Sequence, residues 1–422
     1  MCYKAFSKFV WLTVAASFAV SISIYDGYRY ASLFLCVLTI GLLFLKVEKK
    51  HFSKTDVIIF FAFLFYGFSL LVFDYIDDKT LFNPRLPLRF IIVLPVMLLL
   101  FNVKNYSYYI WYGVFFGAIT AFLWALYEVI FLGHYKASNG LISIVFGDIG
   151  VLLTMLSLIS FVYFYKQRRY LGVVFSLFAV LCGIGASVLS GSRGSWLALP
   201  FIVLFLFWQF RNVIKIKFYA CLLTVIILAV FTFVFSPQTE VKNRIFLGVN
   251  QTLDYMVKGE QRGSSVGLRF EMWKLAIYMF QEKPYFGAGR HSSSGIKKEL
   301  VASGKIVPQA IKFTHSHNVF FDALGYRGGV GLLLQLMIYI IPLMLFLRKM
   351  KVHKDNWDIK IYALAGSIIP MCYMLFGLTE VMFVHKIGVT MYAFPIIYFW
   401  VAVRLAEIEK DKESKSPSCT AS

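Results

Sequence analysis

The chain has 422 residues, of which 59% are hydrophobic, 18% are aromatic and only 15% are charged. Soluble domains contain about 45–50% apolar and about 25% charged residues, so this composition excludes a soluble fold. The apolar residues occur in long runs between short polar breaks. This pattern predicts one membrane domain with an inserted loop rather than a set of soluble domains.

The apolar runs predict an all-α polytopic membrane protein with about twelve transmembrane helices. The first run is followed by another apolar run rather than by a signal-peptide cleavage site, so we expect it to remain as a helix. The predicted spans are residues 9–25, 30–45, 56–73, 89–101, 108–131, 150–165, 170–189, 195–210, 216–236, 328–347, 359–378 and 386–403.

The positions of lysine and arginine predict the orientation of these helices. If both termini are cytoplasmic, 22 of the 42 Lys and Arg residues lie in the termini and the cytoplasmic breaks, and the short breaks on the other side hold only seven. Such a bias is typical of membrane proteins, whose short cytoplasmic loops are rich in positive charge. The sequence therefore predicts that both termini are cytoplasmic.

The longest break separates the ninth and tenth spans and forms a basic loop outside the cytoplasm. We divide the chain into nine spans over 1–236, this loop over 237–327, three spans over 328–403 and a disordered cytoplasmic tail over 404–422. The loop contains thirteen Lys and Arg against seven Asp and Glu, a net charge of +6. Attraction to anionic lipid head groups explains most of its lysines, but particular arginines are better explained by the binding of a specific anion.

Within the loop, apolar residues at helical spacing follow Ser264 and Ser265, which can cap a first turn. A helix is therefore predicted here, ending before Pro284 and the glycines that follow it. Its apolar face consists of Leu268, Met272, Leu275, Ala276 and Met279. A similar pattern predicts an earlier helix over 241–257, and the segment 291–312 is predicted to be irregular.

Arg269 is expected in the first turn of the predicted loop helix, where free backbone N–H groups and the helix dipole favour an anion. Its guanidinium adds a two-pronged hydrogen-bond donor. The alternative is a solvated arginine on a surface helix. The neighbouring Phe270 and Trp273 favour the first interpretation, since they suggest a face packed on the membrane domain.

Arg193 lies between two apolar spans, in the segment Ser190–Trp196, where a guanidinium at the edge of hydrocarbon needs a partner. A phosphate group is one such partner, and contact with lipid head groups is the alternative. Arg85 and Arg89 precede the fourth span and admit the same two interpretations. For these two arginines, contact with head groups is favoured.

The segment Thr314–Asn318 precedes a run with Gly325, Gly328, Gly329 and Gly331, and these glycines allow close helix packing. His317 there is a candidate general base, because an imidazole pKa lies near working pH, although a lone histidine is more often structural. With His315 it lacks a third ligand at metal spacing, so no metal is predicted. The chain also lacks Asp-x-Asp, Walker and dinucleotide motifs, which predicts no nucleotide cofactor and no nucleotide-sugar donor.

Three stretches together resemble the O-antigen ligases, within the wider group that includes O-antigen polymerases and protein O-oligosaccharyltransferases. The first is Leu189–Ser195 at a turn between spans. The second is Gly267–Arg269, with Trp273 and the downstream Pro284–Gly289. The third is His317 with Asn318, followed by the glycine-rich run. The likeness extends over nearly the whole chain.

The resemblance implies a twelve-helix bundle with a periplasmic loop, located in the bacterial inner membrane. It implies an inverting, metal-independent glycosyltransferase of the GT-C-like kind, acting in lipopolysaccharide biosynthesis. The donor would be O-antigen linked to undecaprenyl diphosphate and the acceptor a sugar hydroxyl of the lipid A core. Membrane lipids are expected partners, and nucleic acid is not.

The resemblance also suggests site residues. It assigns essential arginines to Arg193 and Arg269, and the essential histidine, as general base, to His317. Arg290, after the Gly287–Gly289 turn, is placed to reach the diphosphate. His315 is expected to be a hydrogen-bonding neighbour of the base. Supporting roles are also predicted for Asn318, Arg85 and Arg89.

Two other functions remain possible from the sequence. An O-antigen polymerase of the same superfamily would use the same donor with a second lipid-linked repeat as acceptor, and the spacing of the loop motifs favours the ligase. A flippase for lipid-linked oligosaccharides would place ionisable groups and broken helices near the membrane midplane, often in repeated halves. Few charges within the spans and no internal repeat argue against it.

A membrane protein without chemistry would leave Arg193, Arg269 and His317 replaceable.

Overall fold

A computed structural model of the chain describes residues 3–43, 52–79, 83–192, 194–213, 247, 250–260 and 262–415. This part of the chain is helical and contains no strand, so the predicted all-α fold is confirmed. Its α-helices are α1 Tyr3–Ala19, α2 Gly27–Leu38, α3 Lys54–Asp77, α4 Leu88–Phe101, α5 Tyr109–Leu126, α6 Ser143–Lys166, α7 Tyr170–Ser190, α8 Ala198–Phe210, α9 Ser265–Glu282, α10 Ser294–Ala302, α11 Val319–Val352, α12 Trp357–Phe376 and α13 Lys386–Lys415.

Seven of these helices are long and apolar enough to cross a membrane, and three shorter apolar helices accompany them. The seven are α3, α5 with its π-helical extension, α6, α7, α11, α12 and α13, and the shorter ones are Gly27–Leu42, Leu88–Phe101 and Gly194–Phe210. The polytopic membrane fold is thus confirmed. The ninth predicted span, 216–236, lies outside the described residues, so the number of twelve stays a prediction.

The first predicted span, 9–25, is misplaced toward the carboxyl end. The helix α1 begins at Tyr3 and ends at Ala19, and turns follow it. The Ser21 hydroxyl donates to the Phe18 carbonyl at 2.9 Å, and the Ser23 hydroxyl donates to the Ala19 carbonyl at 3.3 Å. Such local side-chain bonds compete with helix continuation, which explains why an apolar run ends early.

The disordered tail predicted after Arg404 is wrong as far as residue 415, because α13 continues to Lys415. Arg404 is anchored by Asp56 of α3, with Nε 3.0 Å from Oδ1, and it also contacts Glu407 one turn onward. Lys349 of α11 donates to the same Glu407 at 2.7 Å. These ion pairs hold the polar end of α13 against two other helices. Residues 416–422 lie outside the described part.

The chain divides into two compact units, one of residues 1–199 with 333–422 and one of residues 200–332. In the first unit the interior consists of α6, α12 and α13, of whose apolar stretches 94%, 78% and 89% are buried, against 33% for α3. Gly113 and Gly117 of α5 allow the backbone of α1 to come so close that a methyl group at either position would overlap it.

The second unit contains the loop helices. Ser264 caps α9 by accepting a hydrogen bond from the Gly267 N–H at 3.0 Å, as predicted. The predicted apolar face is confirmed, since its members lie in one buried cluster with Leu268 partly buried at its edge. Arg269, however, is the fifth residue of α9 and lies in the second turn, one residue beyond the first.

The prediction that the segment 291–312 is irregular is wrong. The segment contains α10 and a short 3-10 helix, Ala310–Lys312. Leu300, Ile306 and Ala310 lie in the same buried cluster as the apolar face of α9. Burial of these few side chains stabilises helices that the local Ser, Gly and Lys content disfavours. Of the earlier helix predicted over 241–257, the described residues from 250 onward are helical and end in a π-helical turn, Asp254–Lys258.

The helix α11 begins nine residues before the predicted span at 328 and is broken at Gly328, whose φ of 67° and ψ of −164° are not helical. The break leaves backbone carbonyl and N–H groups of α11 free, and the turn after α9 pairs with them. The Ala288 N–H donates to the Gly325 carbonyl at 3.0 Å, and the Gly329 N–H donates to the Pro284 carbonyl at 2.8 Å. The predicted Pro-Gly turn therefore ends α9 and is joined by its backbone to α11.

Candidate functional site

The candidate base His317 lies in a turn immediately before α11, which we call the His turn and define as residues 314–318. His317 has a left-handed backbone, with φ of 46°, which is uncommon for a residue with a side chain. Asn318 follows it and caps α11, because its Oδ1 accepts from the N–H groups of Phe320 at 3.0 Å and Phe321 at 3.2 Å. The rings of His315 and His317 lie 4.4 Å apart between centroids.

A buried ion pair lies beside the His turn. Arg290 donates through Nη2 to Oδ2 of Asp322 at 2.5 Å, and through Nη1 to the Thr314 carbonyl at 2.6 Å. The Asp322 carboxylate is fully buried and also accepts the Ser316 N–H at 3.1 Å. The guanidinium also lies 4.6 Å above the centre of the Tyr326 ring. Arg290 is thus close to the predicted base, with both terminal nitrogens engaged by protein oxygens.

The helix α9 contacts the His turn through Trp273. Its indole Nε1 donates to the Ser316 carbonyl at 3.0 Å, and its ring stacks on Phe321 of α11 with centroids 5.3 Å apart. Phe270 packs edge-on against Trp273 at 5.3 Å. The aromatic face predicted for this helix therefore does pack on a neighbour, and within this unit that neighbour is the His turn together with the start of α11.

Arg269 stands one helical turn before Trp273, so the two side chains lie on the same side of α9. It is half-buried, and its guanidinium makes no hydrogen bond or ion pair with any residue that the structure describes. The fold thus places a cation that has no anionic partner among the described residues one turn from the residue that contacts the His turn. This is the arrangement expected of an arginine that binds an external anion.

Arg193 lies outside the described residues, but its neighbours in the first unit are well packed. Ser192 donates to the buried Asp148 of α6 at 3.2 Å. A methyl group on Gly147 would overlap Ser192, and one on Gly194 would overlap Thr379. The turn predicted between the spans is therefore held tightly on both sides of residue 193.

Arg85 and Arg89, also in the first unit, differ from each other in their surroundings. Arg89 is half-buried and donates through Nε to the Thr390 hydroxyl of α13 at 3.0 Å and through Nη1 to the Arg85 carbonyl at 2.9 Å. Arg85 is exposed. Arg89 thus ties α4 to α13, and the predicted contact of Arg85 with lipid head groups stays a prediction.

The sequence interpretation missed a second buried ion pair in the loop unit. Glu271 of α9 is fully buried and accepts from Arg262 at 2.9 and 2.8 Å, from the Tyr255 hydroxyl at 2.9 Å and from the Val307 N–H at 3.0 Å. It also missed Asp322. A carboxylate on the apolar side of each helix was the available signal, since such a group must be paired when buried.

These contacts shift the pKa values of the groups around Glu271. Burial raises the pKa of this carboxyl, but hydrogen bonds from Arg262, Val307 and Tyr255 to the ionised form outweigh that effect and hold it below its ordinary value. Burial together with the hydrogen bond to Glu271 raises the pKa of Tyr255 to about 12. Glu271 is therefore an anion that fixes three segments of the loop unit.

These features belong to one class of protein: a polytopic membrane protein with a compact loop unit that carries the His turn and, beside it, an arginine that is unpaired within the described residues. Within this class, residues 178–336 match the family model of the O-antigen ligases. The matched segment extends from α7 into α11 and includes the His turn. Over this segment the chain is therefore similar to the O-antigen ligases, and the resemblance predicted from the sequence is confirmed.

Two relatives extend this match. The chain is 26% identical over 392 residues to an uncharacterized protein of Haemophilus influenzae, covering 92% of this chain and 97% of that protein. It is 24% identical over 189 residues to a protein of Acinetobacter baylyi named ComP-specific O-oligosaccharyltransferase, covering 44% of this chain and 32% of that protein. The family and this second relative support a glycosyltransferase of the ligase or polymerase type, which uses a lipid-linked glycan and an acceptor.

Proposed function

We propose that the protein ligates O-antigen polysaccharide from undecaprenyl diphosphate onto a sugar hydroxyl of the lipid A core, at the periplasmic face of the bacterial inner membrane. Transfer is inverting and needs no metal. Both termini are cytoplasmic, so the loop unit faces the periplasm. The proposal is supported by the match of residues 178–336 to the O-antigen ligase family model and by the orientation predicted from the distribution of Lys and Arg.

The observation that carries the proposal is the neighbourhood of the His turn. His317, whose backbone is left-handed, lies in the His turn. Hydrogen bonds hold this turn to Arg290, Asp322 and Trp273. Arg269 lies one helical turn from Trp273 with no internal ion-pair partner among the described residues. A candidate base and a cation available to an anion are the two groups that glycosyl transfer from a diphosphate requires.

In the proposed reaction, the acceptor hydroxyl attacks the anomeric carbon on the face opposite the diphosphate. The new carbon–oxygen bond forms as the bond to the diphosphate breaks, and the hydroxyl proton passes to the His317 imidazole. The electron pair of the broken bond remains on the diphosphate. Arg269 and Arg193 bind that growing charge with charge-assisted hydrogen bonds. No oxidant, nucleotide or metal is required.

The other candidate residues support the base and the arginines that bind the diphosphate. Arg290 adds positive charge close to the donor, while its terminal nitrogens hold the His turn. His315 neighbours the base and orients it, and Asn318 caps the helix that follows. Arg89 fixes α4 against α13, and Arg85 contacts lipid head groups.

The test is transfer by the purified full-length protein in detergent, with lipid-linked donor and lipid A core as defined substrates. We expect product with or without a chelator, and we expect His317→Ala to lose about 10²–10⁴-fold in kcat, the usual contribution of a general base. His291→Ala is the control, because His291 is an exposed histidine of the same unit. Full activity of His317→Ala would refute the proposed base, and loss with chelator would refute metal independence.

The acceptor decides between related functions. Growth of the glycan on a second lipid-linked repeat, without transfer to lipid A core, would identify a polymerase. A protein acceptor is a further option, because one relative is named as a ComP-specific O-oligosaccharyltransferase. Transfer in detergent, where no sealed compartment exists, is impossible for a flippase, so product formation would exclude that function.

A further inference from the structure

The backbone of the His turn is in a conformation that needs support from its surroundings. A left-handed backbone is unfavourable for a residue with a side chain, which keeps it only when neighbouring contacts impose it. His317 has such a backbone. The position of its imidazole therefore depends on whatever fixes the residues on either side.

Before His317, three hydrogen bonds hold the turn. Arg290 donates to the Thr314 carbonyl at 2.6 Å, the Ser316 N–H donates to Oδ1 of Asp322 at 3.1 Å, and Trp273 donates to the Ser316 carbonyl at 3.0 Å. Asp322 takes part in two ways, because it accepts the Ser316 N–H directly and binds the arginine that holds Thr314.

After His317, the same aspartate is again involved. Its backbone N–H donates to the Asn318 carbonyl at 2.9 Å, in the first turn of α11. Asp322 thus reaches residue 316 with its side chain and residue 318 with its backbone. The histidine between them is held at both ends by one residue on a rigid helix.

We propose that Asp322 is a positioning residue: acting with Arg290, it fixes the His turn and so directs the His317 imidazole toward the acceptor hydroxyl. This inference rests on the proposed function, in which His317 is the base. Asp322 itself is fully buried and touches neither substrate. Its role is confined to the placement of the base.

The physical reason for a carboxylate here is its two oxygens and its charge. One oxygen serves the Ser316 N–H and the other serves Arg290. Asparagine can serve only one of them and cannot neutralise the guanidinium, which leaves a partly buried cation unpaired. The turn then loses its anchor, and displacement of a catalytic group by about 1 Å can cost on the order of 10²-fold in rate.

The experiment compares Asp322→Asn and Asp322→Glu with Glu271→Gln in the full-length protein. Glu271 is the matched control, because it is an equally buried carboxylate paired with an arginine of the same unit, and its hydrogen bonds go to Tyr255, Arg262 and Val307 rather than to the His turn. The recovery of folded protein, kcat and the KM for the donor are measured for each variant.

We expect Asp322→Asn to lower kcat by about 10²-fold with little change in the donor KM, because Arg269 is untouched. Asp322→Glu, which keeps both oxygens and the charge, should recover part of kcat. Glu271→Gln should give less folded protein with normal kcat per folded molecule. This split separates positioning from stability, since a merely structural role would leave kcat per folded molecule unchanged in all three variants.

Several results would overturn the inference. Wild-type kcat in Asp322→Asn, or a change confined to KM, would do so, as would the same behaviour in Asp322→Asn and Glu271→Gln. If Asp322→Asn gives no folded protein, Asp322→Glu decides instead: a lower kcat at unchanged donor KM supports the inference and a wild-type kcat refutes it. Activity in His317→Ala would count against the proposed function, whereas an inactive His317→Ala with a normal Asp322→Asn would count against this inference alone.

Discussion

The loop unit contains two buried ion pairs that look alike and differ in what they hold. In each, a fully buried carboxylate on a helix is paired with an arginine whose side chain is 33% exposed. Glu271 joins α9 to Tyr255, Arg262 and the backbone at Val307. Asp322 joins α11 to Arg290 and the His turn.

The comparison shows that burial and pairing alone do not reveal the role of a charged group. The Glu271 pair connects segments of the loop to one another, so its loss should affect folding. The Asp322 pair shapes a turn that carries a candidate base, so its loss should affect chemistry. The two carboxylates differ in what they contact besides their arginine, and only the three-dimensional contacts reveal this difference.

A third arginine extends this comparison, and its substitution should have a larger effect than the two changes described after it. Arg269 has no internal ion-pair partner among the described residues, in contrast to Arg262 and Arg290. We expect Arg269→Lys to lose on the order of 10²-fold in kcat without loss of folded protein, because lysine cannot reproduce the two-pronged contact with a diphosphate. Arg262→Lys, the matched control, should instead lose stability and keep kcat per folded molecule. The reverse pattern would show that Arg269 is structural.

An intermediate effect is expected from the Glu271 pair on acidification. Breaking a buried pair by removing one partner costs about 3–5 kcal/mol, so Glu271→Gln should unfold at lower temperature near neutral pH. Because its folded pKa is lowered from 4.5, this stabilisation is present above about pH 4.5 and is lost as the pH falls through the lowered value.

Thermal unfolding of the wild type and Glu271→Gln across a pH series measures this loss. The difference between their midpoints should shrink below about pH 4.5, since protonated Glu271 resembles glutamine. A difference that stays constant through acid, or that is absent at neutral pH, would show that the charge of Glu271 contributes nothing to the stability of the unit.

The smallest effect concerns the packing of α9 on α11, the helices that carry Glu271 and Asp322. A methyl group added to Gly325 would lie 2.8 Å from the Ala276 Cα and 2.9 Å from its Cβ. Gly325→Ala should therefore cost about 1–3 kcal/mol, as overpacking usually does. Gly295→Ala in α10 is the control, because nothing lies within 4 Å of the added methyl group, and it should be neutral. Equal stability of the two variants would show that the close contact is not required.

Sequence patterns predicted the parts of the fold that local chemistry decides. Long apolar runs correspond to membrane-length helices, and the apolar face of α9 lies in a buried cluster as its spacing predicted. Ser264 caps that helix, and the Pro-Gly turn ends it. Predictions failed where a few distant contacts outweigh composition, as in α10, whose Leu300 is buried against α9, and in α13, whose polar end is held by Asp56.

The amino-acid pattern alone was enough to predict an all-α membrane protein, to select His317 and Arg269 as candidate site residues and to show a resemblance to the O-antigen ligases. Hydropathy, spacing and motif order are local properties, so they can be read along the chain. The folded structure was needed to show that Arg290 and Asp322 hold the His turn, that Glu271 binds three loop segments and that Arg269 is left unpaired within the described residues. Residues that are far apart in sequence come into contact only when the chain folds. The partner of a buried charge therefore depends on the tertiary structure.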